Sequence, residues 1–328
     1  VCAVLGLAAR SAAAGDGPSV AFTIKDSRIA ESSGLVASRL HKGVYWTHND
    51  SGDGPYVYAV DSATGKTVAT VTMHGVGTVR DAEAISIGPD DRIYVGDIGD
   101  NLGGTWPKVW IYSFPEPKQL KDITVKATQY TVRYDGGPRD AEALMVQPKT
   151  GRVYIASKHR DGGGLFAGPA KLSTSGVNVF RRIADVPLWM TDGSFSPDGT
   201  RLVLRGYFSA LEYRWSGGAP HRIGELDVPL QRQGESVAFT PDGRALMYGS
   251  EGAGSDVWRV PLSGDQLPDS AARASATASG AAGGSGNASG GAGSSDPAST
   301  RNVTLVALVV AAATALVVAG RRALRRKS

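Results

Sequence analysis

Cysteine is nearly absent from this sequence of 328 residues: Cys2 is the only one. No internal disulfide can staple the chain, so its stability must come from a packed core or from bound ions. Cys/His spacings of the zinc type, a phosphate-binding P-loop and a nucleophile elbow are missing too, which removes the usual sequence signs of those chemistries. A surplus of positive charge is absent where it would matter. Of 35 Lys and Arg, six lie at or beyond Arg301 and one is Arg10, leaving 28 against the 31 acids, all of which lie between Asp16 and Thr300. The sequence pI of about 9.1 therefore belongs to the tail. Nucleic acid is not an expected partner, because phosphate binding needs bases clustered on the folded body.

What is present is turn chemistry. Forty-three glycines and 17 prolines punctuate many short apolar runs, as in an all-β fold of short strands. The two ends read differently. Residues 1–15 have an apolar run, Arg10 and then Ser11-Ala12-Ala13-Ala14, the pattern of the remnant of a secretory signal peptide. Residues 303–320 are uncharged, long enough as a helix to span roughly 27 Å of hydrocarbon. Arg321, Arg322, Arg325, Arg326 and Lys327 follow. Bases beside a span stay in the cytoplasm, so the expectation is a single-pass cell-membrane protein whose body lies outside and whose tail, 321–328, lies inside. Between body and span, 24 of the 30 residues from Ala271 to Thr300 are Ala, Gly or Ser. That composition predicts a disordered stalk over 266–302.

The body, 16–265, repeats. Residues 77–95 (GTVRDAEAISIGPDDRIYV) and 136–155 (GGPRDAEALMVQPKTGRVYI) share Arg-Asp-Ala-Glu-Ala, an alternating strand, a Pro turn and apolar-Tyr-apolar. Weaker copies start at Asp192, Gly234 and Ser32. With Ser33, Glu83, Glu142, Thr191 and Glu235 as equivalents, the spacings are 50, 59, 49 and 44 residues. Periods near 40–50 residues with four short strands each predict a β-propeller. Five blades fit the count, and six would follow if the long second repeat hides two units. The last repeat supplies only three strands, so Val20–Lys25 should close it and leave no open edge.

Phe195-Ser196-Pro197-Asp198-Gly199 and Phe239-Thr240-Pro241-Asp242-Gly243 place Pro, Asp and Gly where a tight turn needs them. On these two motifs the chain resembles the WD40-like repeats of TolB-type secreted bacterial propellers, which implies the fold and little about activity. A weaker resemblance, resting on acids before the inner strands, is to propeller phytases and their esterase-like relatives. It implies calcium ions and phosphomonoester hydrolysis, and no catalytic residue is carried over from it.

In a four-stranded meander, the loop into the first strand and the loop from second to third share one face. That face here collects the reactive residues. Asp81, Glu83, Asp97, Asp140, Glu142 and Glu235 are hard oxygen ligands suited to calcium, the one cofactor expected. Equally, Arg80-Asp81 and Arg139-Asp140 could pair between neighbouring blades as scaffold. His48, Asp50, Asp100, Lys158, His159, Arg160, Arg205 and Glu251 differ from unit to unit, as a site for one asymmetric ligand requires. Two functions follow: a module binding an unknown extracellular ligand or protein, or a calcium-dependent phosphoester hydrolase. The tryptophans should pack between blades, except Trp106, which could line a ligand surface.

Overall fold

The alternating runs fold where the repeat predicts strands. A computed structural model describes residues 17–282, and among these are 21 strands, one 3-10 turn and one α-helix. Strand β1 (Ser19–Thr23) is followed by a first unit of β2 (Ser32–Ala37), β3 (Val44–Asn49), β4 (Tyr56–Asp61) and β5 (Thr67–His74). The second has β6 (Ala82–Ile87), β7 (Arg92–Asp97), β8 (Val109–Pro115), a short β9 (Ile123–Lys126) and β10 (Thr128–Tyr134). The third has β11 (Ala141–Val146), β12 (Val153–Ser157), β13 (Gly163–Ala167) and β14 (Val177–Val186). The fourth has β15 (Met190–Phe195), β16 (Arg201–Gly206), β17 (Ala210–Ser216) and β18 (Ala219–Leu226), and the fifth β19 (Gly234–Phe239), β20 (Ala245–Ser250) and β21 (Asp256–Pro261).

Each unit is an antiparallel meander, and β1 pairs with β21 to complete the last one. The first strands β2, β6, β11, β15 and β19 pack side by side in that cyclic order, with β19 returning to β2. This closed ring of radial sheets is the architecture of a β-propeller. The 59-residue spacing has a local cause: β9 leaves its own unit and pairs in parallel with β5, adding a fifth strand to the first unit.

Both faces of each sheet are covered, so the strands are apolar on both sides. Val57 and Ala59 join a cluster with Ala82 and Ile85 of the second unit, while Tyr58 and Val60 join Ala238 and Met247 of the fifth. Similar clusters fill the remaining gaps between neighbours. Near the axis there is no room for bulk. A Cβ on Gly34 would stand 2.9 Å from the Ile85 amide nitrogen, and one on Gly193 2.7 Å from Met145 Sδ. Small residues there let the sheets converge. On the far face, Gly199 and Gly243 take positive φ (67° and 68°), as the Pro-Asp-Gly turns require.

The described part of the segment 266–302, which ends at residue 282, departs from the expected coil. A 3-10 turn at Gly264–Gln266 leads into an α-helix over Asp269–Ala282, and Ala271 is buried. Asp269 bonds Arg201 at 2.9 Å and Arg214 at 3.2 Å, while Arg244 donates to Ser275 Oγ. Ala-rich sequence has good helix propensity, and docking on the turns supplies what the isolated segment lacks. No helix among the described residues is long and apolar enough to cross a membrane. The signal remnant (1–15), the span (303–320), the tail (321–328) and the rest of the stalk lie outside the described residues, apart from that helix.

Candidate functional site

Every innermost strand carries a β-bulge near its start. The register slips between Ser32 and Gly34, Ala82 and Ala84, Ala141 and Ala143, Met190 and Asp192, and Gly234 and Val237. The skipped positions include Ser33, Glu83, Glu142, Thr191 and Glu235, the five equivalents of the sequence repeat, and all are buried. A bulge re-aims a side chain and increases local twist. Repeated around a ring, it gathers three glutamates, a serine and a threonine at one end of the axis.

Asp50, Asp81 and Glu83 form a buried triad whose carboxylate oxygens lie within 4.8 Å of one another. Asp81 is oriented by Asn101 Nδ2, which donates to both of its oxygens (3.2 and 3.0 Å). Gly99 lets that loop close in: a Cβ there would meet Asp81 Oδ2 and Glu83 Oε1 at 2.7 Å. Ser33 Oγ donates to Glu83 Oε2 at 3.0 Å. Asp50 Oδ1 is buried without a hydrogen-bond partner. Beside the triad, Lys158 Nζ donates to Glu142 Oε1 at 2.6 Å and lies 5.6 Å from the Tyr207 ring centre.

The charges do not balance. Burial pushes the Asp50 carboxyl up to about 7, against the hydrogen bond from Asp81 and with Glu142, Glu251 and Glu31 adding to the rise. Glu83 is held well above the usual carboxylate range by burial first and then by Asp50, Glu142 and Asp81. Burial raises Glu142 likewise, although Lys158 opposes it. For Glu235 burial wins over Lys158, with Glu251 helping, and the carboxyl rises to about 8. Burial is the largest single effect and disfavours the Lys158 cation, but Glu142, Tyr207, Glu235 and Glu83 together outweigh it and the ammonium is held well above its ordinary range. One ammonium among so many carboxylates leaves protons or a further cation to neutralise the rest. The triad's hard oxygens, one of them unpartnered, fit a metal ion.

No known protein family matches the sequence, and no curated protein is similar to it. The fold does have solved neighbours. A candidate 6-phosphogluconolactonase from Bacteroides fragilis is 12% identical, with a TM-score of 0.44 over 75% of this chain and 71% of that one. The PQQ-bound aldose sugar dehydrogenase from Streptomyces coelicolor is 12% identical, with a TM-score of 0.42 over 74% of this chain and 97% of that one. The WD40 repeats of RRP9 are 13% identical, with a TM-score of 0.38 over 71% and 67%.

Several residues expected at the site serve the scaffold instead. Asp97 accepts the Arg80 and Asp81 amides on Oδ1 and the Tyr112 hydroxyl on Oδ2, so both of its oxygens brace the scaffold. Asp100 takes the Thr105 and Trp106 amides on Oδ2, folding its own loop. Its backbone amide in turn is accepted by Asp140 Oδ1. Arg205 is fully buried, donating to the carbonyls of Ser236 and Gly249 and to Gln231 Oε1, which ties the fourth unit to the fifth. His48 is also buried: Nδ1 contacts the Asn49 carbonyl, and Nε2 lies beside the gap at Gly34. Desolvation pushes that imidazole down to about 4, so it is neutral at ordinary pH. His159 and Arg160 are exposed, Arg160 resting over Trp189.

The side chains of the repeated arginines rest on aromatic rings. Arg80 is stacked between Trp106 and Trp110, 3.7 and 3.8 Å from the ring centres, and Arg139 lies over Phe166. Trp106 therefore holds an arginine. Glu251 faces the cluster, raising both Asp50 and Glu235. Two residues carried no signal of their own in the sequence. Tyr207 follows Arg205 in a segment expected on the mouth face, but it has no counterpart in the other repeats. Glu116, buried in the long second repeat, accepts Ser38 Oγ and Trp46 Nε1 and anchors that insertion to the first unit.

Proposed function

We propose that this chain is a five-bladed β-propeller, tethered to the outer face of a membrane through 303–320, that binds a ligand at the channel mouth with the help of one calcium ion. The observation that carries the reading is the buried Asp50-Asp81-Glu83 triad with an unpartnered oxygen. Calcium takes six to eight oxygens, so three carboxylates leave positions for oxygens of a ligand. Lys158 and Tyr207 stand beside those positions and suit a ligand that carries an acceptor oxygen.

Calorimetric titration of the purified protein with calcium tests this, since one site per chain is expected. Asp50→Asn with Glu83→Gln should abolish both the binding heat and the calcium-dependent rise in Tm. Calcium binding that survives the double variant would sink the reading.

A second reading, a calcium-dependent hydrolase, is favoured by Glu235. Its carboxyl, raised to about 8, stays protonated at neutral pH, as a general acid must. Hydrolysis of aryl phosphates that needs calcium and is lost in Glu235→Gln would select this reading. Absence of turnover on phosphate monoesters leaves the binding module.

A further inference from the structure

The extra residues of the second repeat build something the ring does not need. Strand β9 pairs with β5 only, at the outer edge of the first unit. Its side chains complete two rows across that sheet. One row runs Tyr58, Thr70 and Asp122, since Tyr58 pairs with Thr70 and the Thr70 amide donates to Asp122 Oδ1 at 2.8 Å. The other runs Tyr56, Thr72 and Thr124. Arg28, from the segment after β1, and Asp53, from the loop after β3, cover one side. Together they enclose a pocket of about 510 Å³, within the roughly 300–1,000 Å³ of small-molecule sites.

The chemistry of the pocket is specific. Asp53 receives Asn49 Nδ2 and the Tyr58 hydroxyl on Oδ2 alone, and Asp122 is exposed on its row. Arg28 gives Nε and Nη2 to Asp26 and lies 5.2 Å over the Tyr58 ring. Thr70 Oγ1 is buried and has no hydrogen-bond partner, although Thr70 lines the pocket. Thr70 Oγ1 itself sits behind the wall, and Thr72 and Thr124 also line the pocket. Carboxylates accept from hydroxyls, threonines both donate and accept, and the half-buried Tyr56 offers an aromatic surface to C–H groups. Asp53 and Asp122 line the site against one Arg28, whose charge is already met by Asp26, so the site is electronegative, which disfavours phosphates and uronic acids.

We infer that this pocket is a saccharide-binding subsite for neutral or N-acetylated sugars, separate from the channel mouth. The test is a glycan array carrying neutral, N-acetylated and acidic oligosaccharides, probed with the full-length protein in detergent. Retention of neutral or N-acetylated glycans is expected. Calorimetry with the best array ligand should then show about tenfold or greater loss in Tyr56→Ala and in Asp53→Asn, each variant still melting in one cooperative transition. Thr72→Val, a substitution at a partly exposed position, gives a third arm that does not threaten folding. Asp50→Asn, which disables the channel mouth, should leave glycan affinity as it was, so the two sites fail independently. Retention of no glycan, retention of acidic glycans only, or affinity unmoved by all three pocket variants would overturn the inference.

Discussion

The two ends of the ring use carboxyl groups in opposite ways. At the turn end Asp198 is partly buried, yet donors from the Ser270 and Thr200 amides and the Ser196 and Thr200 hydroxyls overcome that burial and hold its carboxyl far below the usual range. Asp242 is lowered for similar reasons. At the mouth Glu83, Glu142 and Glu235 are raised, because they are buried more deeply among other acids. Turn carboxylates are satisfied by local backbone that folds around them. Mouth carboxylates are brought together from distant repeats, and the donors near them, such as Lys158 beside Glu142, do not overcome their burial. A stability device and a ligand device differ here by whether the donors arrive with the acid.

The largest expected test of that contrast removes the ammonium at the mouth. Lys158→Met leaves Glu142 without its partner and should cost about 3 kcal/mol, read from urea denaturation. A cost under about 1 kcal/mol would mean the mouth acids are already neutralised by protons alone. Arg205→Leu strands two buried carbonyls and Gln231, and a loss of about 2–4 kcal/mol is expected.

Titration of stability sharpens the comparison further. Glu235 has a folded-state pKa of about 8, above its unfolded value near 4, so the native state holds the proton longer. Its contribution is therefore complete below about pH 4 and is lost as pH rises toward about 8, with a slope of up to about 1.4 kcal/mol per pH unit. Asp198 behaves oppositely: its lowered carboxyl stabilises the fold above the unfolded value, and that support disappears as pH falls below it. Without calcium, Glu235→Gln should flatten the loss between about pH 5 and 8 and leave the acid limb unchanged. Equal slopes in both proteins would remove Glu235 from the account.

The smallest effect belongs to the docked helix. Asp269→Ala removes the carboxylate from the buried Arg201 and the half-exposed Arg214, and because Asp269 itself is about a third exposed it should cost about 1–2 kcal/mol. Limited proteolysis should then cut within Asp269–Ala282 sooner, while the calcium response at the mouth stays as before.

The bulged positions Ser33, Glu83, Glu142, Thr191 and Glu235 were legible as equivalents because local strand-turn-strand chemistry repeats in sequence. Asp97, Asp100 and Arg205 looked like site residues, since their loops do lie on the mouth face. Their bonds run to amides and carbonyls of neighbouring segments, and a one-dimensional repeat carries no record of such partners. Conversely, β9 looked like a possible extra unit, because length alone does not say which edge an inserted strand joins.

The sequence by itself determined the strand periodicity, the tight turns and the order of the units, since these follow from alternation, Pro-Asp-Gly geometry and repeat spacing. Tertiary structure alone decided which acids meet, which are capped and where β9 lands. Those outcomes depend on ring closure and on burial, and burial is a property of the packed surroundings rather than of any residue.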